Sequence, residues 1–155
     1  MELLPITEAH FEWLLGDRAA PPGAPRLPEG GVAEPEIVAL MRGVAAEVGG
    51  EAAWLMIADG EAVGMISIKA RGEMGHWDIG YGVAPQRQGR GHATAAVAAL
   101  KERARVIGAR GLTAETLPDS GASPQVLRRN SFTCTGQFDH PEDGIVDQWL
   151  VEWAA

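Results

Sequence analysis

The segment with the clearest chemical pattern runs from a predicted strand, residues 76–83, through a glycine-containing loop into a predicted helix. Gly89 and Gly91 carry no side chain that would hold a ligand away from the backbone. Backbone N–H groups at a helix start lack partners within the helix, and the helix dipole is positive there. The pattern predicts a site for a phosphate-like anion, with Arg87 and Arg90 as cationic donors. The alternative is a tight connection with solvated arginines.

Two families of protein use such a loop. A dinucleotide-binding fold needs Gly-x-Gly-x-x-Gly after its first strand and an acidic residue about twenty positions later. Here Thr94 occupies the third glycine position, although Glu115 suits the acidic one. Strand hairpins predicted before the loop also disagree with a doubly wound parallel sheet, so this interpretation is the weaker one.

The run Gln88-Gly89-Arg90-Gly91-His92-Ala93 matches a second signature in full: Gln or Arg, two residues, Gly, one residue, then Gly or Ala. On this motif the sequence resembles the GNAT acyltransferase family. The segment from Asp78 to Pro85 is similar to the strand before that loop in the family, especially in the branch of ribosomal-protein N-terminal acetyltransferases. The resemblance continues to Phe132, although Ser120 and Ser131 replace the Asn and the Gly usual in that branch. It covers residues 65–138 well.

The resemblance implies acetyl-coenzyme A as co-substrate, held in a central splay of the sheet, and no metal. Its pyrophosphate is expected on the backbone amides of the loop and the helix start, and Ser120 is expected as a further contact in place of the Asn. Its pantetheine arm is expected to pair with Tyr81 and Val83, where a backbone N–H can stabilise an oxyanion. The expected pyrophosphate contacts are Gln88, Gly89, Arg90, Gly91, His92, Ala93 and Thr94.

Asp78 is the candidate general base, because strand alternation puts it on the open face of the predicted strand, with His76 one alternation away. The alternative is an ordinary hydrogen-bonded strand residue. Related sequences carry a Tyr as general acid where this chain has Leu127. Ser123 or a water is therefore expected to assist the departing thiolate.

The elements around this segment predict a single mixed, mainly antiparallel sheet flanked by helices. Asp59-Gly60 is typical of a β-hairpin turn. A helix with Pro35 in its first turn is expected to bury a stripe of Ile37, Leu40, Met41, Val44 and Val48. Ser123 is expected to cap a helix opened by Pro124. The helix after the loop is expected to present an apolar stripe of Ala93, Ala96, Val97, Leu100, Ala104 and, at its end, Ile107. Residues 16–33 predict an irregular loop. The predicted strands are 3–6, 53–58, 62–69, 76–83, 112–116, 132–138 and 145–152. The helices for which both ends are predicted are 93–107 and 123–130.

Composition limits the function further. The chain has 155 residues and a formal net charge of -8, which argues against nucleic acid or anionic lipid as partner. The single Cys134, expected to pack in a strand, excludes an internal disulfide and a cysteine metal cluster. No signal segment or membrane span is visible, so we expect one cytoplasmic domain over residues 1–155, as a monomer or homodimer.

The sequence therefore predicts an N-acyltransferase that moves an acetyl group from acetyl-coenzyme A to a primary amine by direct attack. The acceptor is either a protein N-terminus or a small-molecule amine. A non-catalytic coenzyme A or ligand-binding domain of the same fold is the alternative, because the Tyr, Asn and Gly of related sequences are missing.

Overall fold

The computed structural model describes residues 1–118 and 122–153. In that part of the chain, seven strands form one sheet: β1 (Glu2–Pro5), β2 (Ala53–Ala58), β3 (Glu61–Arg71), β4 (His76–Val83), β5 (Gly111–Thr116), β6 (Thr133–His140) and β7 (Gly144–Glu152). Its four α-helices are α1 (Glu8–Leu14), α2 (Pro35–Val48), α3 (His92–Val106) and α4 (Ser123–Arg129). All predicted strands and helices are present.

The strand order is β1-β2-β3-β4-β5-β7-β6. Every neighbouring pair is antiparallel except β4 and β5, which are parallel and are connected through α3. The first hairpin turns at Asp59 and Gly60, which both have positive φ, as the two-residue turns that match strand twist require. The predicted mixed, mainly antiparallel sheet is confirmed.

The helices lie on both faces of the sheet. On one face α1 and α2 cover β1 to β3, through a core that includes Phe11, Val38, Leu55 and Met65. On the other face α3 and α4 cover the middle strands through a second core, which includes Trp54, Ile66, Ile79, Leu100, Leu112 and Leu127. The side chains of Trp77 and Ile79 point into this second core, and Asp78 points to the opposite face, as alternation predicted.

Three predictions about burial are wrong in whole or in part. The α2 stripe is only partly buried: Met41 and Val48 pack against the two cores, whereas Ile37 is 47% exposed and Leu40 is 63% exposed, and the buried α2 residue is Val38. Periodicity identifies an apolar face of a helix but not what covers it. Ile107 is 40% exposed because α3 ends before it, and Cys134 is exposed on β6, the last strand of the sheet.

Candidate active site

β4 and β5 pair at only three positions before they separate. His76, Trp77 and Asp78 lie opposite Gly111, Leu112 and Thr113. β4 then continues to Val83 against β3, and β5 continues to Thr116 against β7. The two strands therefore open a wedge beyond Asp78, which we call the strand gap. It is the central splay that the family resemblance implied.

Backbone groups of β4 point into the strand gap. Ala84 donates its N–H to the Val63 carbonyl on β3 at 2.8 Å. Because backbone groups alternate along a strand, Tyr81 and Val83 direct theirs to the opposite edge. The side-chain amide of Gln88 donates to the Val83 carbonyl at 3.1 Å, so one of these acceptors is already used.

The loop after β4 consists of a short 3-10 helix, Pro85–Arg87, and residues 88–91, which we call the glycine loop. Gly89 and Gly91 have φ of 78° and 80°, and a Cβ built on either meets no atom within 4 Å. The glycines therefore serve backbone conformation and an open surface rather than close packing. The first helical bond of α3 runs from Ala95 N to Gly91 O, so the preceding amides at His92 to Thr94 lack acceptors within the helix.

A cavity of about 410 Å³, which we call the loop cavity, joins the strand gap to the glycine loop. It gathers most of the predicted cofactor residues, namely Tyr81, Val83, Gln88, Gly89, Gly91, His92, Ala93 and Thr94. Ser123, Gln125 and Arg129 of α4 form its far wall. The Arg90 side chain lines a different cavity, beside Arg26 and Glu61. The predicted contact Ser120 lies outside the described residues.

Arg87 connects the start of the glycine loop to β3. Its guanidinium donates to both carboxylate oxygens of Glu61 at 2.6 and 3.0 Å. This hydrogen bonding holds the pKa of the Glu61 carboxyl below its ordinary value. Arg26 donates to the Asp59 carbonyl at 2.7 Å, which ties residues 16–33 to the same hairpin. Arg87 is therefore paired rather than solvated, and it also lines the loop cavity, so its role as a donor to an anion stays a prediction.

Asp78 lies where the strand gap begins. Thr113 donates its hydroxyl to Asp78 Oδ1 at 3.0 Å, and Lys69 Nζ lies 3.8 Å from Oδ2. Burial raises the pKa of the Asp78 carboxyl, although Lys69 and the Thr113 hydrogen bond oppose the rise and Glu115 adds to it. A raised pKa makes the carboxylate a better base near neutral pH. His76 lines one cavity together with Asp78, and its Nε2 lies 2.8 Å from Glu152 Oε2.

Ser123 is not the helix cap that the sequence predicted. Helix α4 starts at Ser123 itself, Ala122 stands at the cap position, and no side chain caps the helix. The Ser123 hydroxyl lies 2.7 Å from the Tyr81 hydroxyl, across the loop cavity wall. Burial raises the pKa of the Tyr81 phenol, so it is protonated at neutral pH. Leu127, one turn later, is fully buried.

A second cavity of about 210 Å³, the α2 cavity, opens on the other face of β4. The exposed side of α2 forms one wall, through Ile37, Leu40, Met41 and Val44. Gly80 and Gly82 of β4 lie opposite, with Met65 and Lys69 of β3 beside them. Tyr81 and Gly82 line both cavities, so the α2 cavity meets the loop cavity at the strand gap.

Sequence reasoning missed two features of this site. It assigned Tyr81 only a backbone role, yet the phenol reaches Ser123. It gave Lys69 no role, yet a β-bulge between Ile68 and Ala70 brings that side chain beside Asp78. The alternation of residues along the strand was the one usable signal in the sequence. It indicates which face of the sheet each side chain lies on, but it does not indicate which residue that side chain contacts.

Comparison with known proteins decides the family. The model of the acetyltransferase (GNAT) domain matches residues 2–133. The chain belongs to the GNAT acetyltransferase family. The family resemblance is therefore confirmed, and with it an acetyltransferase activity that uses acetyl-coenzyme A and transfers the acetyl group to amines.

Solved structures of GNAT proteins share the architecture. A coenzyme A complex named RimL, a ribosomal L7/L12 alpha-N-protein acetyltransferase, is 23% identical, covers 97% of this chain and 92% of its own, and has a TM-score of 0.71. Mycobacterium smegmatis RimJ, in complex with CoA-disulfide, is 26% identical over 76% of this chain and 60% of its own, with a TM-score of 0.62. The aminoglycoside acetyltransferase AAC(6')-Ib, with coenzyme A, is 17% identical over 64% and 65%, with a TM-score of 0.56. No curated protein sequence matches the chain.

Two further searches of the described residues were negative. None of the helices in residues 1–118 and 122–153 is long and apolar enough to cross a membrane. Within the same ranges, no group of three or more His, Cys, Asp or Glu side chains is arranged to hold a metal ion.

Proposed function

We propose that residues 1–155 act as one acetyltransferase domain, in which acetyl-coenzyme A lies in the strand gap and the amine arrives through the α2 cavity. One observation carries this proposal: Tyr81 and Gly82 line both cavities, so the two substrates can meet at β4. Bound acetyl-coenzyme A supplies a thioester whose carbonyl carbon the amine can attack. The remaining steps belong to side chains and backbone groups of this chain.

The glycine loop fits a pyrophosphate. The amides of His92, Ala93 and Thr94 have no acceptor within α3, and the open space around Gly89 and Gly91 lets an anion approach the backbone. We assign the same role to the amides of Gln88 and Arg90, and a further contact to Ser120. The backbone edge of Tyr81 and Val83 would hold the pantetheine arm, and the Val83 N–H would stabilise the oxygen that gains negative charge.

We assign the general base to Asp78. The carboxyl lies on the open face at the start of the strand gap, and burial raises its pKa, which favours proton uptake. Its partners Thr113 and Lys69 fix its orientation. Asp78 would accept a proton from the acceptor ammonium through a water and so leave a neutral amine to attack.

We assign the Tyr81 and Ser123 hydroxyls to the departing sulfur. Both line the loop cavity, and the two are hydrogen-bonded to each other. One of the two hydroxyls can therefore donate a hydrogen bond to the sulfur, and the second hydroxyl can donate a hydrogen bond to the oxygen of the first. A hydrogen bond to a developing thiolate lowers the barrier to its departure.

Both a protein N-terminus and a small-molecule amine remain acceptors under this proposal, since the RimL and aminoglycoside acetyltransferase structures share the fold. The deciding experiment measures release of coenzyme A thiol from acetyl-coenzyme A with a panel of amines. Amine-dependent release is expected, together with a rise in Tm on adding acetyl-coenzyme A. A rise in Tm without release from any amine would favour the non-catalytic binding domain instead.

A further inference from the structure

The exposed face of α2 is unusual for a helix that packs on a sheet. Ile37 and Leu40 are 47% and 63% exposed, and Met41 and Val44 beside them are only partly buried. These four side chains form one wall of the α2 cavity. Contiguous exposed apolar surface of this kind marks a groove for a ligand or a partner.

The opposite wall includes Gly82, which has no side chain, at the point where the α2 cavity meets the strand gap. A Cβ built on Gly82 meets no atom within 4 Å, and Gly82 does not have a positive φ. The backbone conformation at Gly82 therefore does not require glycine. What the missing side chain provides is empty space directly above β4, facing Leu40 and its neighbours.

The charges that line the α2 cavity limit the kinds of group that can bind there. Among the described residues that line the α2 cavity, Lys69 is the one charged side chain, and its ammonium lies 3.8 Å from Asp78 Oδ2. A polycationic amine would find no carboxylate partner in this lining and would face Lys69. An apolar group would instead be removed from water against Ile37, Leu40, Met41 and Val44.

We propose that the α2 cavity is a subsite for an apolar side group of the acceptor, which makes the preferred acceptors primary amines with a branched aliphatic or aromatic group next to the nitrogen. This inference rests on the proposed function, because it needs the amine to react at the strand gap. The cavity of about 210 Å³ suits one group of the size of a leucine or phenylalanine side chain. Both a free amine and a peptide N-terminus can present such a group.

The test compares kcat/KM for acetyl transfer to L-leucinamide, L-phenylalaninamide, L-serinamide and spermidine, and to the peptides Leu-Ala-Ala and Ser-Ala-Ala. The apolar amides should exceed serinamide by at least about tenfold, and spermidine should be the poorest acceptor. The same preference in the peptides would assign the subsite to an N-terminus, and its absence there to a free amine. Equal values for leucinamide and serinamide would overturn the inference while leaving the proposed function intact.

A variant ties the preference to this surface. Leu40→Gln should reduce the ratio of leucinamide to serinamide by at least about threefold, since it removes apolar contact. Leu40 is too exposed for this change to cost much stability. Met74→Gln is the matched control, because Met74 is 74% exposed outside both cavities and should leave the ratio at the wild-type value.

Two other outcomes would overturn the inference. If Leu40→Gln changes the sedimentation coefficient but not the acceptor ratio, the apolar face covers a second copy of the chain. If no acceptor supports thiol release although acetyl-coenzyme A raises Tm, the proposed function fails and this inference fails with it.

Discussion

The hydroxyl of Tyr81 on β4 lies 2.7 Å from the hydroxyl of Ser123 in the first turn of α4. This pair joins the strand that borders the gap to the helix that forms the far wall of the loop cavity. Leu127 lies one turn later, at the position where related sequences carry a Tyr as general acid, and the Leu127 side chain is buried in the core. The pair offers hydroxyl donors at a neighbouring position in the fold.

Tyr81→Phe should lower kcat by about tenfold or more, because hydrogen bonds to charged groups contribute about 1.5–3 kcal/mol. The affinity for coenzyme A should stay nearly unchanged, since the phenyl ring remains and the backbone edge is intact. Ser123→Ala should have a smaller effect, and the double variant should resemble Tyr81→Phe. Rate constants from thiol release and Kd from calorimetry test this. Wild-type kcat in Tyr81→Phe would assign both hydroxyls a structural role.

Asp78→Asn should lower kcat/KM by about 10²–10⁴-fold where the acceptor is mostly protonated, with a smaller effect at high pH, where free amine is abundant. The wild-type rate should fall as pH decreases through the raised pKa of Asp78, because only the carboxylate can accept a proton. A pH profile of kcat/KM for both proteins tests this. Identical profiles would mean that Asp78 is structural and that positioning of a neutral amine suffices.

The same carboxyl should leave a signature in stability. Burial raises its folded pKa above the ordinary value of 3.8, so the folded state binds the proton more tightly than the unfolded state. The free energy of unfolding of the wild type should therefore fall, relative to Asp78→Asn, as pH rises from about 3.8 through the raised folded pKa. Urea unfolding at several pH values measures this difference. A difference that grows in favour of the wild type would show that Lys69 and Thr113 outweigh burial.

Gly91→Val should abolish the rise in Tm that acetyl-coenzyme A produces. A side chain at this position would hold an anion off the amides of the α3 start, and φ of 80° strains any residue other than glycine. Gly16→Val is the matched control, because Gly16 has φ of 84°, open space around it and no place in either cavity. Both variants should lose stability, but only Gly16→Val should keep the ligand-induced shift. A full shift in Gly91→Val would exclude the glycine loop as the anion site.

The sequence predicted features that depend on local pattern. The four buried positions of α3, Ala96, Val97, Leu100 and Ala104, follow helical spacing and also face the sheet. The alternation of β4 identified the face of Asp78 correctly, because a strand has only two faces. The glycine loop was recognisable because positive φ and open backbone restrict the residue type to glycine.

Features that depend on the meeting of distant segments were not predictable in this way. The apolar face of α2 has the spacing of a buried stripe, but α2 packs through Val38 and Met41 and leaves Leu40 at a cavity. Ser123 has the residue type of a helix cap, yet its hydroxyl meets Tyr81, 42 positions away. Lys69 reaches Asp78 through a bulge that no residue type announces. Each of these contacts is a property of tertiary structure rather than of spacing.

Two glycine-to-alanine changes should have opposite effects. A Cβ on Gly64 would collide with the carbonyl oxygen of Gly82 and lie 3.0 Å from the Val83 Cα, and backbone on a paired strand cannot move aside cheaply. Gly64→Ala should therefore destabilise the protein by about 1–3 kcal/mol, as overpacking does, and should weaken coenzyme A binding by shifting the β4 edge.

Gly43→Ala is the counterpart, because Gly43 lies within α2, has no unusual φ and has open space at the Cβ position. It should stabilise the protein by about 0.5–1 kcal/mol, since alanine loses less backbone entropy in a helix than glycine does. Tm should rise by about 1–4 °C in Gly43→Ala and fall in Gly64→Ala. Only Gly64→Ala should raise the Kd for coenzyme A. Wild-type Tm and Kd in Gly64→Ala would mean that β3 and β4 are separated more widely at Gly82 than the structure shows. The strand gap would then lack the rigid edge on which the proposed binding of pantetheine depends.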